Sequence, residues 1–355
     1  MSTETFTLDD LKRILLAGAG ADETVDLDSE ILDTEFELLG YESLALLETC
    51  GRIEREYGIS LDESLVVEAT TPRLLIQAVN EHLDRVGHSA DQIASPRASS
   101  AASPVALVSG ATSGIGLAIA RSLAESGHRV FIGARSADNV AATVKQLNED
   151  GLDVDGTTVD VRSGQDIHNF VQAAVDRYGS VDVLVNNAGG ARGLEPVADA
   201  DVEHWRWMWE ANVMGTLHVT KALLPKLIAS GDGLIVTVTS IAAVEIYDNG
   251  AGYTTAKHAQ GVLHRTLRSE LLGQPVRLTE VAPGMVQTEF SLNRFEGDAE
   301  RADKVYQGVT PLVAEDIAEV IGFVASRPAH VDLDLIVVRP RDQVSGAAGS
   351  RFHRT

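Results

Sequence analysis

A short apolar run, Val105-Ala106-Leu107-Val108, breaks into Gly110-Ala111-Thr112-Ser113-Gly114-Ile115-Gly116. Leu117, Ile119, Ala120 and Leu123 then recur at helical spacing. No other stretch restricts the fold as much. Strand, glycine turn and helix in that order open a dinucleotide-binding βαβ unit. The glycines permit a tight turn and let backbone N–H groups approach a pyrophosphate at the helix N-terminus. The spacing is Gly-x-x-x-Gly-x-Gly rather than Gly-x-Gly-x-x-Gly, and a glycine turn by itself also serves plain structure.

The alternation continues. Arg129-Val130-Phe131-Ile132-Gly133 reads as a second strand. NAD-binding sheets often end this strand with an acid that holds the ribose 2′-OH. Here Ala134 takes that place and Arg135 follows. No carboxylate repels a 2′-phosphate and a guanidinium can bind one, which favours NADP(H) over NAD(H). The plain alternative is a solvated charge at a strand end. Gly156-Thr157-Thr158-Val159 leads into Asp160-Val161, where the acid can accept from an adenine amino group, cap the next helix, or both. Val181-Asp182-Val183-Leu184-Val185 is a fourth strand, closing with Asn186-Asn187-Ala188-Gly189. Trp205, Trp207 and Trp209 alternate on a helix near Asn212, so they cannot all face one way. At least one is expected in the core or at a subunit contact. A strand ends at Pro283-Gly284, and Leu335-Ile336-Val337-Val338 precedes a polar tail. The pattern implies an α/β doubly wound parallel sheet of Rossmann type.

Leu234-Ile235-Val236-Thr237-Val238-Thr239 reads as a buried strand, with Ser240 at its end, where open α/β sheets bind ligands. Tyr253 and Lys257 follow, four apart in a proline-free helical stretch, and so share a face. A phenol near pKa 10 is a poor acid at neutral pH, and a nearby ammonium lowers that value. Ser240 can hydrogen-bond a carbonyl while Tyr253 hands it a proton. The bland reading is a surface Tyr-x-x-x-Lys pair.

The segment before residue 104 differs in kind. The chain has a formal net charge of -23, which argues against nucleic acid or an anionic membrane as partner. Residues 1–86 hold 20 of its 52 acidic side chains and only 6 of its 29 basic ones. Thr7 is an expected N-cap for a helix with Leu8, Leu11, Ile14 and Leu15, and residues 18–42 read as a long acidic loop. Ser43 precedes Leu44, Leu46, Leu47 and Ile53 at helical spacing, and Thr71-Pro72 starts a last helix through Leu75, Ile76, Val79 and Leu83. This is a small all-α bundle of about four helices. Residues 87–103 are an Ala/Ser-rich linker that would span roughly 20–25 Å as a flexible coil. The single cysteine, Cys50, excludes an internal disulfide or a cysteine metal cluster, and no metal site is expected. The acidic N-terminus is unlike a signal peptide, and no apolar run is long enough to span a membrane. A reducing, cytoplasmic setting fits.

The stretch Leu39-Gly40-Tyr41-Glu42-Ser43-Leu44-Ala45-Leu46-Leu47-Glu48, with the helix order and the Thr-Pro, resembles acyl carrier proteins, most closely those of aromatic polyketide synthesis. The resemblance implies a 4′-phosphopantetheine arm on Ser43, added by a phosphopantetheinyl transferase. Glu42, Glu48, Glu54 and Glu56 would face basic patches on partners, polyketide synthase components among them. Glu42 departs from the family's usual aspartate, and the alternative is that Ser43 is only an N-cap. Residues 104–340 resemble the short-chain dehydrogenase/reductase family through the Gly110–Gly116 loop, Asp160, Asn186-Asn187-Ala188-Gly189, Asn212, Ser240, Tyr253-Thr254-Thr255-Ala256-Lys257 and Pro283-Gly284. Ser240 precedes Tyr253 by the 13 positions the family requires.

By that resemblance Tyr253 is the general acid, Lys257 lowers its pKa and contacts the nicotinamide ribose, and Ser240 orients the carbonyl. Asn212 holds a water in a relay to Lys257. The NADP(H) site comprises Gly110, Ser113, Gly114, Ile115, Gly116, Arg135, Asp160, Val161, Asn187, Ala188, Gly189, Tyr253, Lys257, Pro283, Gly284 and Thr288. Residues 285–310 form a loop-like mobile lid, 341–355 a flexible tail, and the family habit is a dimer or tetramer. Ser109 stands where threonine is usual. The first half of the domain is similar to aromatic polyketide ketoreductases, the second to reductases of small hydroxy acids. The leading expectation is an NADPH-dependent ketoreductase with a fused carrier, reducing a polyketide ketone, tethered or cyclised, to a secondary alcohol. The alternatives are a reductase of a small free keto compound with a vestigial carrier, or a carrier with a non-catalytic scaffold.

Overall fold

The computed structural model describes residues 6–19, 31–36, 38–41, 43–57, 69–80, 83 and 103–344. The chain divides into two units, Met1–Ala101 and Ala102–Thr355.

In the first unit, α1 (Leu8–Ala19) opens on a reciprocal cap: the Asp10 N–H donates to Thr7 Oγ1 (3.3 Å) and the Thr7 N–H donates to Asp10 Oδ2 (3.1 Å). Helix α2 (Ser43–Tyr57) begins at Ser43 itself. A third helix, α3 (72–80), starts at Pro72, and Thr71 Oγ1 accepts from the Leu74 N–H. Leu11, Ile14, Leu15, Cys50, Ile53, Leu75 and Val79 close around Phe6, Ile31 and Phe36, so the thiol is a packed core group, as expected. Asn80 ties the last helix to the first residues, accepting from the Phe6 N–H and donating to its carbonyl. Glu56, expected to face partners, is exposed and paired with Arg13 at 2.6 Å. Glu42 and linker residues 87–102 lie outside the described residues.

The second unit is a seven-stranded, all-parallel sheet in the order β3-β2-β1-β4-β5-β6-β7. Its strands are β1 (Val105–Ser109), β2 (Arg129–Ala134), β3 (Val154–Thr158), β4 (Val183–Asn186), β5 (Gly233–Val238), β6 (Val276–Pro283) and β7 (Leu335–Val338). The period of two sends alternate side chains to two cores. Ala106, Val108, Val130, Ile132 and Val236 face one core, under α4 (Gly114–Glu125), α5 (Ala137–Glu149) and a helix at Ala314–Ala325. Val105, Leu107, Phe131, Leu184 and Ile235 face the other, under α6 (Gly164–Tyr178) and α7 (Gly215–Ala229). The strand order reverses between β1 and β4, and the crevice above that point receives both the glycine turn and the Asn186–Gly189 segment.

Two expectations change. The 285–310 segment is not loop-like throughout: it contains helices at Phe290–Arg294 and Ala299–Lys304. A two-residue parallel bridge closes its base, with the Gln287 N–H donating to Leu312 O (2.7 Å) and the Leu312 N–H to Met285 O (2.9 Å). The expected tail is packed at its start. Asp342 and Gln343 are buried, Asp342 accepting from the Thr310 N–H and Gln343 from the Met285 N–H, so they pin both ends of that segment. No helix among the described residues is long and apolar enough to cross a membrane.

Candidate active site

Strand β5 ends at Val238, and Ser240 follows in extended backbone. Its hydroxyl accepts from the Ala242 N–H (3.1 Å) and donates to Pro283 O (3.4 Å). Helix α8 (Ala251–Glu270) then presents Tyr253 in its first turn and Lys257 one turn on, both buried. The Phe290 ring meets Tyr253 edge-on at 5.6 Å.

Burial pushes the Tyr253 hydroxyl well above the ordinary phenol range, with Tyr247 adding to the rise. The Ser240 hydroxyl and the Arg294 charge act in the opposite direction. Burial also lowers Lys257 to about 7, against a smaller upward pull from Glu280. Lys257 is not among the groups that shift the Tyr253 hydroxyl in this arrangement. Its Nζ is 5.8 Å from the ring centroid and donates elsewhere, to Val238 O (3.2 Å) and Gln260 Oε1 (2.8 Å). At about 7 the lysine is only partly protonated near neutral pH, which weakens the charge it can offer a phenolate.

Asn212 is fully buried in a π-helical turn, Glu210–Met214. Its side chain donates to Gly190 O (2.9 Å) and Met208 O (2.7 Å) and accepts from the Gly190 N–H (3.1 Å). This clips the chain leaving β4 against the turn so closely that a Cβ on Gly189 would lie 2.4 Å from Asn212 Oδ1. The route the structure shows from Asn212 to Lys257 runs through side chains. Thr216 Oγ1 donates to Asn212 O (2.8 Å), and Gln260 Nε2 donates to Thr216 Oγ1 (2.8 Å). Sequence reasoning passed over both residues, although Gln260 stands three positions after Lys257 on the same helix.

The glycine turn is held by the residues beside it. Gly110 and Gly114 have φ of +67° and +51°, where a side chain is strained. A Cβ on Gly116 would sit 2.1 Å from Gly110 O. The Asn187 side chain donates to Ser109 O and Gly110 O (both 3.0 Å), so it secures the turn. Ser109 fills its unusual position usefully, its hydroxyl accepting from the Asn187 and Ala188 N–H groups (both 3.1 Å).

Ser113 is the exposed N-cap of α4 and makes no side-chain cap bond, while Ile115 is half-buried behind it. Thr288 lies 3.3 Å from where a Gly114 Cβ would be, so the segment after Pro283-Gly284 reaches the turn. Arg135 is exposed just past β2. Asp160 does not cap α6; Ser163 does, accepting from the Asp166 N–H. Asp160 is instead gripped by Arg162 (Nη2 at 2.6 Å), which holds its carboxyl below the usual range. Val161 is a core residue against Gly215.

In front of Tyr253 lies a concavity lined by Arg192, His204, Trp205, Met208, Gly250 and Arg294. Arg294 donates to Gly193 O (2.7 Å) and Tyr247 OH (3.3 Å), and its guanidinium carbon is 5.8 Å from the Tyr253 ring. Arg192 stacks on Trp207 at 4.8 Å. The tryptophans do diverge, but Trp205 and Trp207 pack half-buried around this site and Trp209 is exposed. None is a fully buried core residue, because the helix that carries them, Val202–Trp209, sits over the site and turns only Met208 fully inward.

The family model for short chain dehydrogenase matches residues 104–299. That for a phosphopantetheine attachment site matches residues 21–79. An uncharacterised oxidoreductase of Mycobacterium tuberculosis is 65% identical over 243 residues, covering 68% of this chain and 93% of its own. The closed form of a serine dehydrogenase complexed with NADP+ is similar with a TM-score of 0.66 and 34% identity, over 71% of this chain and 100% of the dehydrogenase. An actinorhodin polyketide ketoreductase variant with NADPH is similar with a TM-score of 0.61 and 36% identity, over 66% of this chain and 95% of the ketoreductase.

Proposed function

This chain belongs to the short-chain dehydrogenase family, and from that premise we propose that it is an NADPH-dependent ketoreductase whose own carrier module bears a 4′-phosphopantetheine arm on Ser43. Its substrate is a ketone of a polyketide chain or of a cyclised polyketide, reduced to a secondary alcohol. The observation that carries the reading is the Ser240, Tyr253 and Lys257 cluster at the strand ends, on one chain with a phosphopantetheine-type module.

The residues present fit a phosphorylated dinucleotide. Ser113 makes no side-chain cap bond, the N-terminus of α4 opens on the turn, and Arg135 replaces the acid that would repel a 2′-phosphate. NADP(H) would be held by the Gly110–Gly116 turn, Arg135, Asp160, the Ala188-Gly189 backbone and Thr288, and bound NADPH supplies the hydride. The chain's own residues manage the proton. Ser240 Oγ turns its one proton from Pro283 O, a long 3.4 Å contact, to the substrate carbonyl oxygen. Tyr253 donates its proton to the alkoxide as it forms. Lys257, near 7, can give or take a proton at neutral pH and restores the phenol.

One observation favours a second reading. Arg294 projects at the substrate side of Tyr253 with no carboxylate partner in the contacts described, which suits a substrate with its own carboxylate, such as a small oxo acid reduced to a hydroxy acid. The two readings separate on one experiment. Treatment with a phosphopantetheinyl transferase is followed by mass spectrometry, and NADPH oxidation is measured against ketones with and without a carboxylate, in the wild type and in Ser43→Ala. A modified Ser43 whose loss abolishes reduction of tethered ketones, with free-ketone reduction intact, supports the tethered polyketide reading. An unmodified Ser43 with turnover confined to small oxo acids overturns it. Synthase components as partners and a dimer or tetramer remain part of the proposal.

A further inference from the structure

We propose that Gln260 is a positioning residue for the catalytic lysine, clamping Lys257 to the π-helical turn of Asn212 through Thr216. The inference rests on the reading of Lys257 as part of the catalytic set.

Gln260 is 0% exposed, and both ends of its carboxamide are used. The Asn212 carbonyl can only accept, so the Thr216 hydroxyl must donate to it at 2.8 Å and can only accept from Gln260 Nε2 at 2.8 Å. That leaves Oε1 facing Lys257 Nζ at 2.8 Å. The donor direction is therefore fixed along the whole row, from amine to amide to hydroxyl to backbone carbonyl. A carboxamide with both ends committed orients its neighbours and does not shuttle a proton, so Gln260 positions rather than relays. Val238 O supplies the second acceptor, and together the two acceptors set where the lysine points. The same row holds the π-turn, because the Asn212 carbonyl is bound by Thr216 while its side chain holds Gly190. The approach of Gly189 to Lys257 is thus tied to Gln260: a Cβ on Gly189 would be 3.8 Å from Nζ.

The groups facing Lys257 are few. Tyr253 lies on its own helix. Ser240 follows β5, and Glu280 on β6 is itself bound by Arg265 (2.9 Å) and Thr239 (2.9 Å). Gln260 is the side chain in direct contact with the amine.

The test compares Gln260→Leu, Gln260→Glu and Thr216→Val in the full-length protein. Two readouts are followed from pH 6 to 9: NADPH affinity by fluorescence titration, which needs no ketone, and kcat and KM with whichever ketone the wild type reduces. Gln260→Glu places a carboxylate against the amine and is expected to move the pH limb alkaline by about one unit or more. Gln260→Leu is expected to move it the other way and to lower kcat by on the order of 100-fold with KM within about twofold. Thr216→Val removes the hydroxyl that accepts from Gln260, cutting the row at its far end, and is expected to act in the same sense as Gln260→Leu, with the double variant no worse than the poorer single one. Unmoved pH limbs in both Gln260 variants, or strictly additive effects of Gln260→Leu and Thr216→Val, would overturn the assignment. If a Gln260 variant does not fold, Thr216→Val alone decides, since an unchanged limb there breaks the row. A wild type that binds NADPH but reduces no ketone tested counts against the proposed substrate, while the binding limb still judges Gln260.

Discussion

Replacing Lys257 with methionine gives the sharpest physical test of the site. The lysine is 4% exposed and held at about 7, against an ordinary value of 10.5. Between those two values the unfolded chain keeps a proton that the folded chain has lost. Stability contributed by this group is therefore fully present above 10.5, and is lost as pH falls through 7. The slope approaches about 1.4 kcal/mol per pH unit, so wild type should gain about 2 kcal/mol between pH 7 and pH 9. Lys257→Met lacks the titrating group and has no such gain. The stability gap between the two proteins should then shift by that amount in favour of the wild type across the window. His264, lowered to about 4, and the upward-shifted Tyr253 are common to both proteins and drop out of the difference. Urea unfolding followed by tryptophan fluorescence is the assay. All three tryptophans (Trp205, Trp207 and Trp209) lie in the second unit, so the signal reports that unit in the intact chain. Parallel stability curves for wild type and variant from pH 7 to 9 would refute the claim that burial holds the lysine well below its ordinary value.

Tyr253→Phe removes the proton donor while keeping the ring against Phe290, and should lower kcat by roughly 10²–10⁴-fold with NADPH affinity retained, read by steady-state kinetics and fluorescence titration. Arg135→Glu restores an acid where a 2′-phosphate would sit, and should weaken NADPH relative to NADH by on the order of 10–100-fold in KM, read with both cofactors. Gly116→Ala puts a methyl group 2.1 Å from Gly110 O and 2.4 Å from Asn187 Nδ2, and should destabilise the second unit by roughly 1–3 kcal/mol and abolish dinucleotide binding, read by denaturation and titration.

Much of the sheet was legible because buried parallel strands are written as β-branched runs with no competing period. Val105 to Val108 and Leu234 to Val238 are examples, and their alternate residues divide between two cores. The ends of β3 and β4 were less legible. Asp182 accepts from the Val105 N–H at 2.7 Å and so continues the apolar-looking run before the ladder of β4 begins at Val183. The helices at Phe290–Arg294 and Ala299–Lys304 were not legible, because five and six residues are too few to show a helical period. Nor was the burial of Asp342 and Gln343. Polar residues near a chain end look solvated until the backbone they bind, here Met285 and Thr310, is known to lie beside them.

The residues of the candidate site divided along a chemical line. Tyr253, Lys257 and Arg135 could be read because few side chains can donate a proton near neutrality or bind a phosphate, so their placement at strand ends already says something. Gln260 and Thr216 are chemically quiet, and an amide or a hydroxyl acquires a role only from what it touches. Arg294 and Arg192 lie about a hundred residues apart, and only the fold brings them to one concavity. Yet Gln260 follows from a premise the sequence nearly supplies. A lysine buried within a helix needs acceptors, and residues three and four positions along are the side chains within reach. Of those two, Gly261 has no side chain to offer. What was missing was the burial of Lys257. That depends on β5 and the π-turn, which reach the helix from elsewhere in the chain, and not on the helix itself.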